Sequence, residues 1–508
     1  MTQQRPALLA VDEGTTGTRA AWVDEAGVVG GLEYRSIDVA HPVPGMVEQD
    51  ALQLLHRTTE AMRATAAAAQ AGGIRIVGIA ITQQRLTAVL WDADTGLPLA
   101  PAVVWQDTRH AAELARIAAP WRERLYEVIG RPAGFGSPYL WAARLLQADE
   151  AVAAAARRGG LRLGTVESWL IWNLSRERVY ATSATNASAA GAYATGAGGY
   201  YAEWVEELGF PTELLPEIRQ DQDSYGTSAH ELCGVSVPIL GAIGDQQAGA
   251  IGLGSIRAGQ ASCVHGTGSF LSQGTGTERA RYRGVEVPGA IPLLAWRADG
   301  VSRYLVEGIV PMTGSALEWA AGRLGCFESV EQIGRLAGTT ADAGGAMFLP
   351  ALAGAMTPAI APRARASLSG LSAGTTSAQL ARALIEGIAH SAADGVEANT
   401  LTAGAAPDEL AAGGGMAASA TLLQAQADLT GVPVVRHPGY AVASLRGAAF
   451  LAGSQGALWS SLDEAVTTLR GREVFEPGIG DDERGERRAA WQRRLAFELE
   501  EGSRDAGG

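Results

Sequence analysis

The sequence predicts an α/β fold built from two related halves that join near residue 250 of 508. Two observations carry that reading. Short β-rich runs, "ALLAVDEG", "RIVGIAITQQ" and "VPILGAIGDQQ", alternate with helix-like blocks from end to end, and each run stops at glycine or a polar residue. Such alternation puts ligand-binding residues at strand ends. The opening strand–turn–strand, "LLAVDEGTTGTRAAWVDEAG", then restarts after Gly252 as "QASCVHGTGSFLSQGTG", with His265-Gly266-Thr267-Gly268-Ser269 where Asp12-Glu13-Gly14-Thr15-Thr16 stood.

Taken in order, the opening hairpin is followed by "EQDALQLLHRTTEAMRATAAAAQAGG", a helix whose apolar residues recur at three and four and which the Gly72-Gly73 pair stops. Alanine-rich stretches such as "AVAAAARRGG" keep helical periodicity and read as helices rather than low complexity. The end, "DDERGERRAAWQRRLAFELEEGSRDAGG", is a charged amphipathic helix around Trp491, Leu495 and Leu499, then a disordered tail. The expected division is therefore 1–250, 251–475 and a terminal helix and tail over 476–508.

Composition excludes several classes. An apolar content of 47% supports substantial cores, and a net charge of −14 repels a polyphosphate backbone, so nucleic acid is not an expected partner. No apolar run is long enough for a signal segment or a membrane span. Three cysteines, never as CxxC, and histidines without metal-ligand spacing speak against a disulfide framework or a zinc site, and fit a reducing cytoplasm. All 40 basic side chains are arginine. Without lysine there is no P-loop, no protein-kinase strand lysine and no Schiff base. Phosphate must then be met by arginine, backbone N–H groups and a metal.

The two turns suit that task. Glycines let N–H groups approach phosphate oxygens, Thr15 and Thr16 offer hydroxyls, and Arg19 offers a planar fork. Asp12, at the strand end, is placed to hold Mg²⁺ directly or through water. Facing each other across a cleft, the turns would clamp a triphosphate. A rival motif, Gly370-Leu371-Ser372-Ala373-Gly374, matches the GxSxG of serine hydrolases, but its flanks put the serine in a loop well ahead of its helix.

Over nearly its whole length the chain resembles the FGGY carbohydrate kinases, and within them the glycerol kinase subfamily. The resemblance rests on "VDEGTTGTRA", "PGMVEQD", "GIAITQQR", "VVWQDTR", "GTVESWLIWNL", "TNAS", "GAIGDQQAGAIG", "HGTGSF", "GGGMAASATLLQAQADLTG" and "LRGAAFLAG". It implies two ribonuclease-H-like domains of the actin/hexokinase type around a central cleft: an N-terminal domain binding the polyol and a C-terminal one binding nucleotide. It also implies an enzyme that uses ATP and Mg²⁺ to phosphorylate a small polyol or sugar, working as a homodimer or homotetramer. By that resemblance Asp245 is the catalytic base and, with Asp12, the metal site. Arg85, Leu86, Trp105, Phe135, Gln246 and Phe270 line the acceptor pocket, with Asp245. Thr15, Thr16, Arg19, Gly266 and Thr267 take the phosphates, while Gly314, Gly415 and Ser419 border the adenosine.

Several positions depart from the family pattern. Leu86 stands where glycerol kinases carry a glutamate that accepts hydrogen bonds from substrate hydroxyls, and "GRPAGFGSPYLW" has Phe135 or Gly136 near the expected tyrosine. That stretch is closer to the xylulokinase pattern, although Tyr139 replaces its lysine. A more apolar pocket follows, with a ketopentose or tetritol as the alternative substrate and a non-catalytic actin-like nucleotide switch as the remote one. Gly413-Gly414-Gly415 replaces "DGG", "PAIAP" (358–362) replaces an aromatic loop, Leu384 is off the second signature, and Ser419 stands for a usual asparagine. These changes imply weaker ATP binding. "HELCGVS" (230–236) lacks the basic side chains of an anionic-effector loop, so no such regulation is expected.

Overall fold

In a computed structural model, residues 4–280, 290–361 and 363–504 are described, and the chain divides into two units. Pro362 of the "PAIAP" loop and the tail 505–508 lie outside the described residues. The first unit comprises Met1–Gly252, Leu293–Tyr304 and Ser444–Thr468, and the second Leu253–Pro292, Leu305–Ala443 and Leu469–Gly508.

The first unit is organised by a sheet of β1 (Arg5–Glu13), β2 (Gly17–Asp24), β3 (Val29–Ser36), β4 (Ile74–Gln83) and β5 (Ile239–Gly244), in the order β5-β4-β1-β2-β3. β1 runs antiparallel to β2 and parallel to β4, which is parallel to β5. The opening apolar run is continuous because β1 is central; Leu8, Leu9, Ala10 and Val11 are all fully buried. Helix α1 (Ala51–Ala71) covers one face through Leu54, Ala61 and Met62. It starts where the Asp50 carboxylate accepts from the Leu52 N–H and ends at Gly72-Gly73, the latter at φ +69°, a left-handed conformation that suits glycine. A second core, around Leu140, Trp204 and Phe210, fills the region between residues 88 and 215.

The second unit repeats this plan. Its sheet includes, in order, β8 (Val301–Val310), β7 (Ser269–Gly276), β6 (Ala261–His265), β9 (Leu410–Gly413), β10 (Val434–Arg436) and β11 (Glu473–Phe475). Again the hairpin β6/β7 is antiparallel and β6/β9 and β9/β10 are parallel. The order β10-β9-β6-β7-β8 thus matches β5-β4-β1-β2-β3, and the expected α/β fold of two ribonuclease-H-like domains is observed.

The division is not contiguous in sequence, unlike the expected 1–250 and 251–475. Helix Ala443–Gly453 packs on α2 (Asp245–Gly252) because Gly447 lets the backbones meet: a Cβ there would lie 1.8 Å from the Ala248 carbonyl oxygen. The terminal helix belongs to the second unit rather than standing apart over 476–508. In α6 (Asp481–Arg504), Arg488 pairs with Asp394 at 2.6 Å, Trp491 donates to Asp394 at 2.8 Å and stacks on His390, and Leu495 is buried with Leu349. Asp394 and His390 lie on α4 (Ser377–Ala403). Ser372 sits in an exposed turn before α4, whose N-terminus is capped by Thr376 and Gln379, so the hydrolase motif has no helix at once behind it.

Candidate active site

Three parallel strands of the first unit end side by side. In register Asp12 on β1 faces Thr82 on β4, and Gln83 on β4 faces both Glu13 on β1 and Gly244 on β5. Asp12 and Asp245 are therefore carried to the same edge, the carboxyl ends where open α/β sheets bind ligands. Arg19, the cross-strand partner of Asp12, brings Nη1 within 3.8 Å of its carboxylate. Burial pushes the Asp12 carboxyl up to about 6, with Arg19 opposing and the charge of Asp245 adding to the rise.

Asp245 is the first residue of α2. Its Oδ1 lies 3.3 Å from Arg85 Nε and accepts from the Gln246 N–H at 2.9 Å, while Oδ2 accepts from Gln246 Nε2 at 2.9 Å. Burial raises its carboxyl above the ordinary range, and Arg85 and then the Gln246 bonds work against that. Gln246 Oε1 is buried without a hydrogen-bond partner. Gly244 makes room for the arginine: a Cβ there would lie 2.9 Å from Arg85 Cδ. Two hard-oxygen carboxylates, both disfavoured as bare anions, suit Mg²⁺ with retained water, and among the described residues no third His, Cys, Asp or Glu joins them.

The hairpin turn is held from beneath. Gln49 Nε2 donates to the Thr15 carbonyl at 2.6 Å, Gln84 Nε2 to Gln49 Oε1 at 3.0 Å, and Thr87 Oγ1 to Gln84 Oε1 at 3.0 Å. Trp105, expected on a sugar face, gives its indole N–H to Thr15 Oγ1 at 2.9 Å and lines a pocket with Leu86 and Phe135. Thr16 is exposed, and its carbonyl accepts from the Tyr34 hydroxyl at 3.1 Å. Leu86 has φ +70°, a left-handed backbone that a leucine rarely adopts. Behind the turn Glu13 is fully buried, bonded to Thr58 at 2.5 Å, and pushed by burial up to about 8.

In the second unit Gly266 and Thr267 form the β6/β7 turn. Their carbonyls accept from the start of α3 (Gly314–Gly322): Gly314 N–H to Gly266 at 3.1 Å and Ser315 N–H to Thr267 at 3.2 Å. A Cβ on Gly314 would lie 2.5 Å from the Gly266 oxygen, and one on Gly414, at φ +82°, 2.3 Å from the His265 oxygen. A Cβ on Gly415 would meet nothing within 4 Å. Ser419 caps α5 (Ala420–Thr430), accepting from the Leu422 N–H at 3.2 Å, which asparagine does equally well. Phe270 is in this unit, opposite Val264 in the hairpin. Hairpin register pairs His265 with Ser269 and Glu13 with Thr18, so His265 corresponds to Glu13 and not to Asp12. Val264 is the counterpart of Asp12, and the carboxylate is not repeated at that position of the second hairpin. His265 is fully buried, bonded to Ser269 at 2.7 Å and Gln426 at 3.1 Å, and burial lowers it to about 4.

Sequence models described as "FGGY family of carbohydrate kinases", N-terminal and C-terminal domain, match residues 7–252 and 261–455. The chain belongs to the FGGY family of carbohydrate kinases. Within this family it is 37% identical to a glycerol kinase of Dechloromonas aromatica over 97% of each chain, and 36% identical to one of Thermus brockianus over 96% of this chain and 97% of that one. Among solved structures, a glycerol kinase of Plasmodium falciparum with ADP superposes with a TM-score of 0.87 at 25% identity, covering 97% of this chain and 98% of that one. A xylulose kinase of Rhodospirillum rubrum shares the fold, with a TM-score of 0.79 at 24% identity over 97% and 98% of the two chains. As an FGGY kinase the protein carries out ATP-dependent phosphorylation of an alcohol group on a polyol or sugar. Among the described residues no helix is long and apolar enough to cross a membrane.

Sequence reasoning named the residues at the strand ends but not their supports. Gln49 and Gln84 lie inside matched motifs, "PGMVEQD" and "ITQQR", yet only register shows that they join. Gly244 and Gly447 carry no local signal among 65 glycines.

Proposed function

We propose that the protein transfers the terminal phosphoryl group of ATP to a hydroxyl of a small polyol by direct in-line displacement, with Asp245 as the base. The observation that carries this reading is the setting of Asp245: part-buried just past a strand end, its two oxygens fixed by Arg85 and Gln246, its basicity raised by desolvation. Phosphoryl transfer asks the protein mainly for positioning and charge stabilisation. Asp245 accepts the proton of the attacking hydroxyl while Arg85 fixes the carboxylate's orientation. Gln246 Oε1, buried without a partner, is the acceptor offered to a second substrate hydroxyl.

Thr15, Thr16 and Arg19 are assigned to the nucleotide's phosphates, Thr15 being oriented by the indole of Trp105. In the second unit Gly266 and Thr267 are assigned to phosphate binding, and Gly314, Gly415 and Ser419 to the adenosine border. Asp12 and Asp245 would hold Mg²⁺, which supplies charge neutralisation for the phosphate oxygens. A cytoplasmic setting agrees with the three free cysteines.

Glycerol is the first candidate acceptor, from the curated relatives; the apolar lining by Leu86 and Phe135 favours a ketopentose or tetritol as the second reading. A coupled ADP-release screen over glycerol, tetritols, pentitols, ketopentoses and gluconate tests both. Acceptor-dependent turnover is expected; ATP hydrolysis indifferent to every acceptor would refute the reading.

A further inference from the structure

The residue after Arg85 opens a pocket of unusual character, lined by Leu86, Val103, Trp105, Phe135, Pro138 and Trp141. Most of its polar side chains are already engaged. The Asp107 carboxylate takes the Val47 N–H at 2.7 Å and the Arg109 N–H at 3.0 Å, and a fork from the Arg109 guanidinium at 2.7 to 3.0 Å. Ser137 Oγ caps the helix Pro138–Ala148 by accepting from the Leu140 N–H. The Trp105 indole N–H is given to Thr15, and His110 Nδ1 faces Glu113 at 3.6 Å. Leu86 itself holds a left-handed backbone, φ +70°, in which a leucine is strained.

The geometry points to an acceptor with two unlike ends: hydroxyls where it meets Asp245, Arg85 and Gln246, and a methyl or deoxy terminus seated between Leu86 and Phe135. This inference rests on the phosphoryl-transfer reading above for the reacting end and on the pocket alone for the other. A hydroxyl placed against Leu86 and Phe135 gives up water without gaining a partner, whereas a methyl group leaves water at no such cost. An apolar pocket discriminates against an added hydroxyl by roughly 10- to 100-fold.

Matched pairs that differ only at the far end test it: glycerol against propane-1,2-diol, erythritol against butane-1,2,3-triol, and D-xylulose against 1-deoxy-D-xylulose. Initial rates with ATP give kcat/KM, and intrinsic tryptophan fluorescence, to which Trp105 and Trp141 contribute among 12 tryptophans, gives binding without ATP. The deoxy member of at least one pair is expected to win by roughly tenfold or more in both readouts. Leu86→Glu is expected to reverse that preference, and Phe135→Tyr, which adds a single hydroxyl, to narrow it. Equal or better use of the hydroxylated member in all three pairs overturns the inference while leaving the kinase reading intact. Deoxy ligands that bind tightly without being phosphorylated uphold the pocket assignment and overturn the placement of their hydroxyls against Asp245. Binding of neither member overturns the inference.

Discussion

Alanine at Gly447 perturbs the packing that holds the proposed base, and its cost follows from two distances. The new Cβ would lie 1.8 Å from the Ala248 carbonyl oxygen and 2.6 Å from the Gly252 nitrogen. Both atoms are backbone of α2, the helix that Asp245 begins, so neither can swing aside. To restore a normal contact the two helices must part by about 1 Å, an overpacking of the kind that costs on the order of 3 kcal/mol. At roughly 2 °C per kcal/mol, Tm falls by about 6 °C. Because α2 carries Asp245, a shift of about 1 Å also predicts a loss in kcat of about 100-fold. Thermal denaturation and ADP-release rates on the purified variant give both quantities. Gly485→Ala is the control: it lies within α6, a Cβ there meets nothing within 4 Å, and it is expected to be neutral or slightly stabilising. A Gly447→Ala protein with parental Tm and kcat would refute the reasoning.

Other perturbations follow from single contacts. Trp105→Phe keeps the ring's bulk but removes the donor to Thr15 Oγ1, so kcat/KM for ATP is expected to fall by about fivefold, with Thr15→Val adding little on top in a double-mutant cycle. Ser419→Ala removes the cap of α5 and is expected to cost about 1 kcal/mol in urea unfolding, while Ser419→Asn is expected to cost almost nothing. His265 stays neutral in the folded state down to about 4, whereas in the unfolded chain it takes a proton near 6.5. The unfolded state therefore binds more protons between those values, and this stability, present above 6.5, is lost as pH falls through the window. Between pH 7 and pH 5 the loss is about 2 kcal/mol, and His265→Gln is expected to remove that part of the acid slope in urea unfolding.

Much of this architecture is legible in the sequence because it rests on local rules. The "VDEGTTGT" and "VHGTGS" turns and the Asp50 and Gly72-Gly73 ends of α1 use residues whose backbone preferences are strong, and the repetition of the hairpin announced the duplicated sheet. What stayed hidden depends on register and on long-range packing. The sequence order of the two turns sets His265 against Asp12, but strand pairing sets it against Glu13. The return of 444–468 to the first unit depends on Gly447, which reads as an unremarkable helix glycine until the opposing backbone is seen. The motifs around Trp105 and Leu86 mark them as pocket residues, but neither the indole bond to Thr15 nor the left-handed backbone of Leu86 has a local signature.

The central claim is that one carboxylate takes the proton of the attacking alcohol. Asp245→Asn keeps the shape and the contact with Arg85 but cannot accept that proton. With the best acceptor from the screen, single-turnover transfer from saturating ATP and Mg²⁺ is expected to slow by about 10²- to 10⁴-fold. Transfer within tenfold of the parent rate would contradict the account.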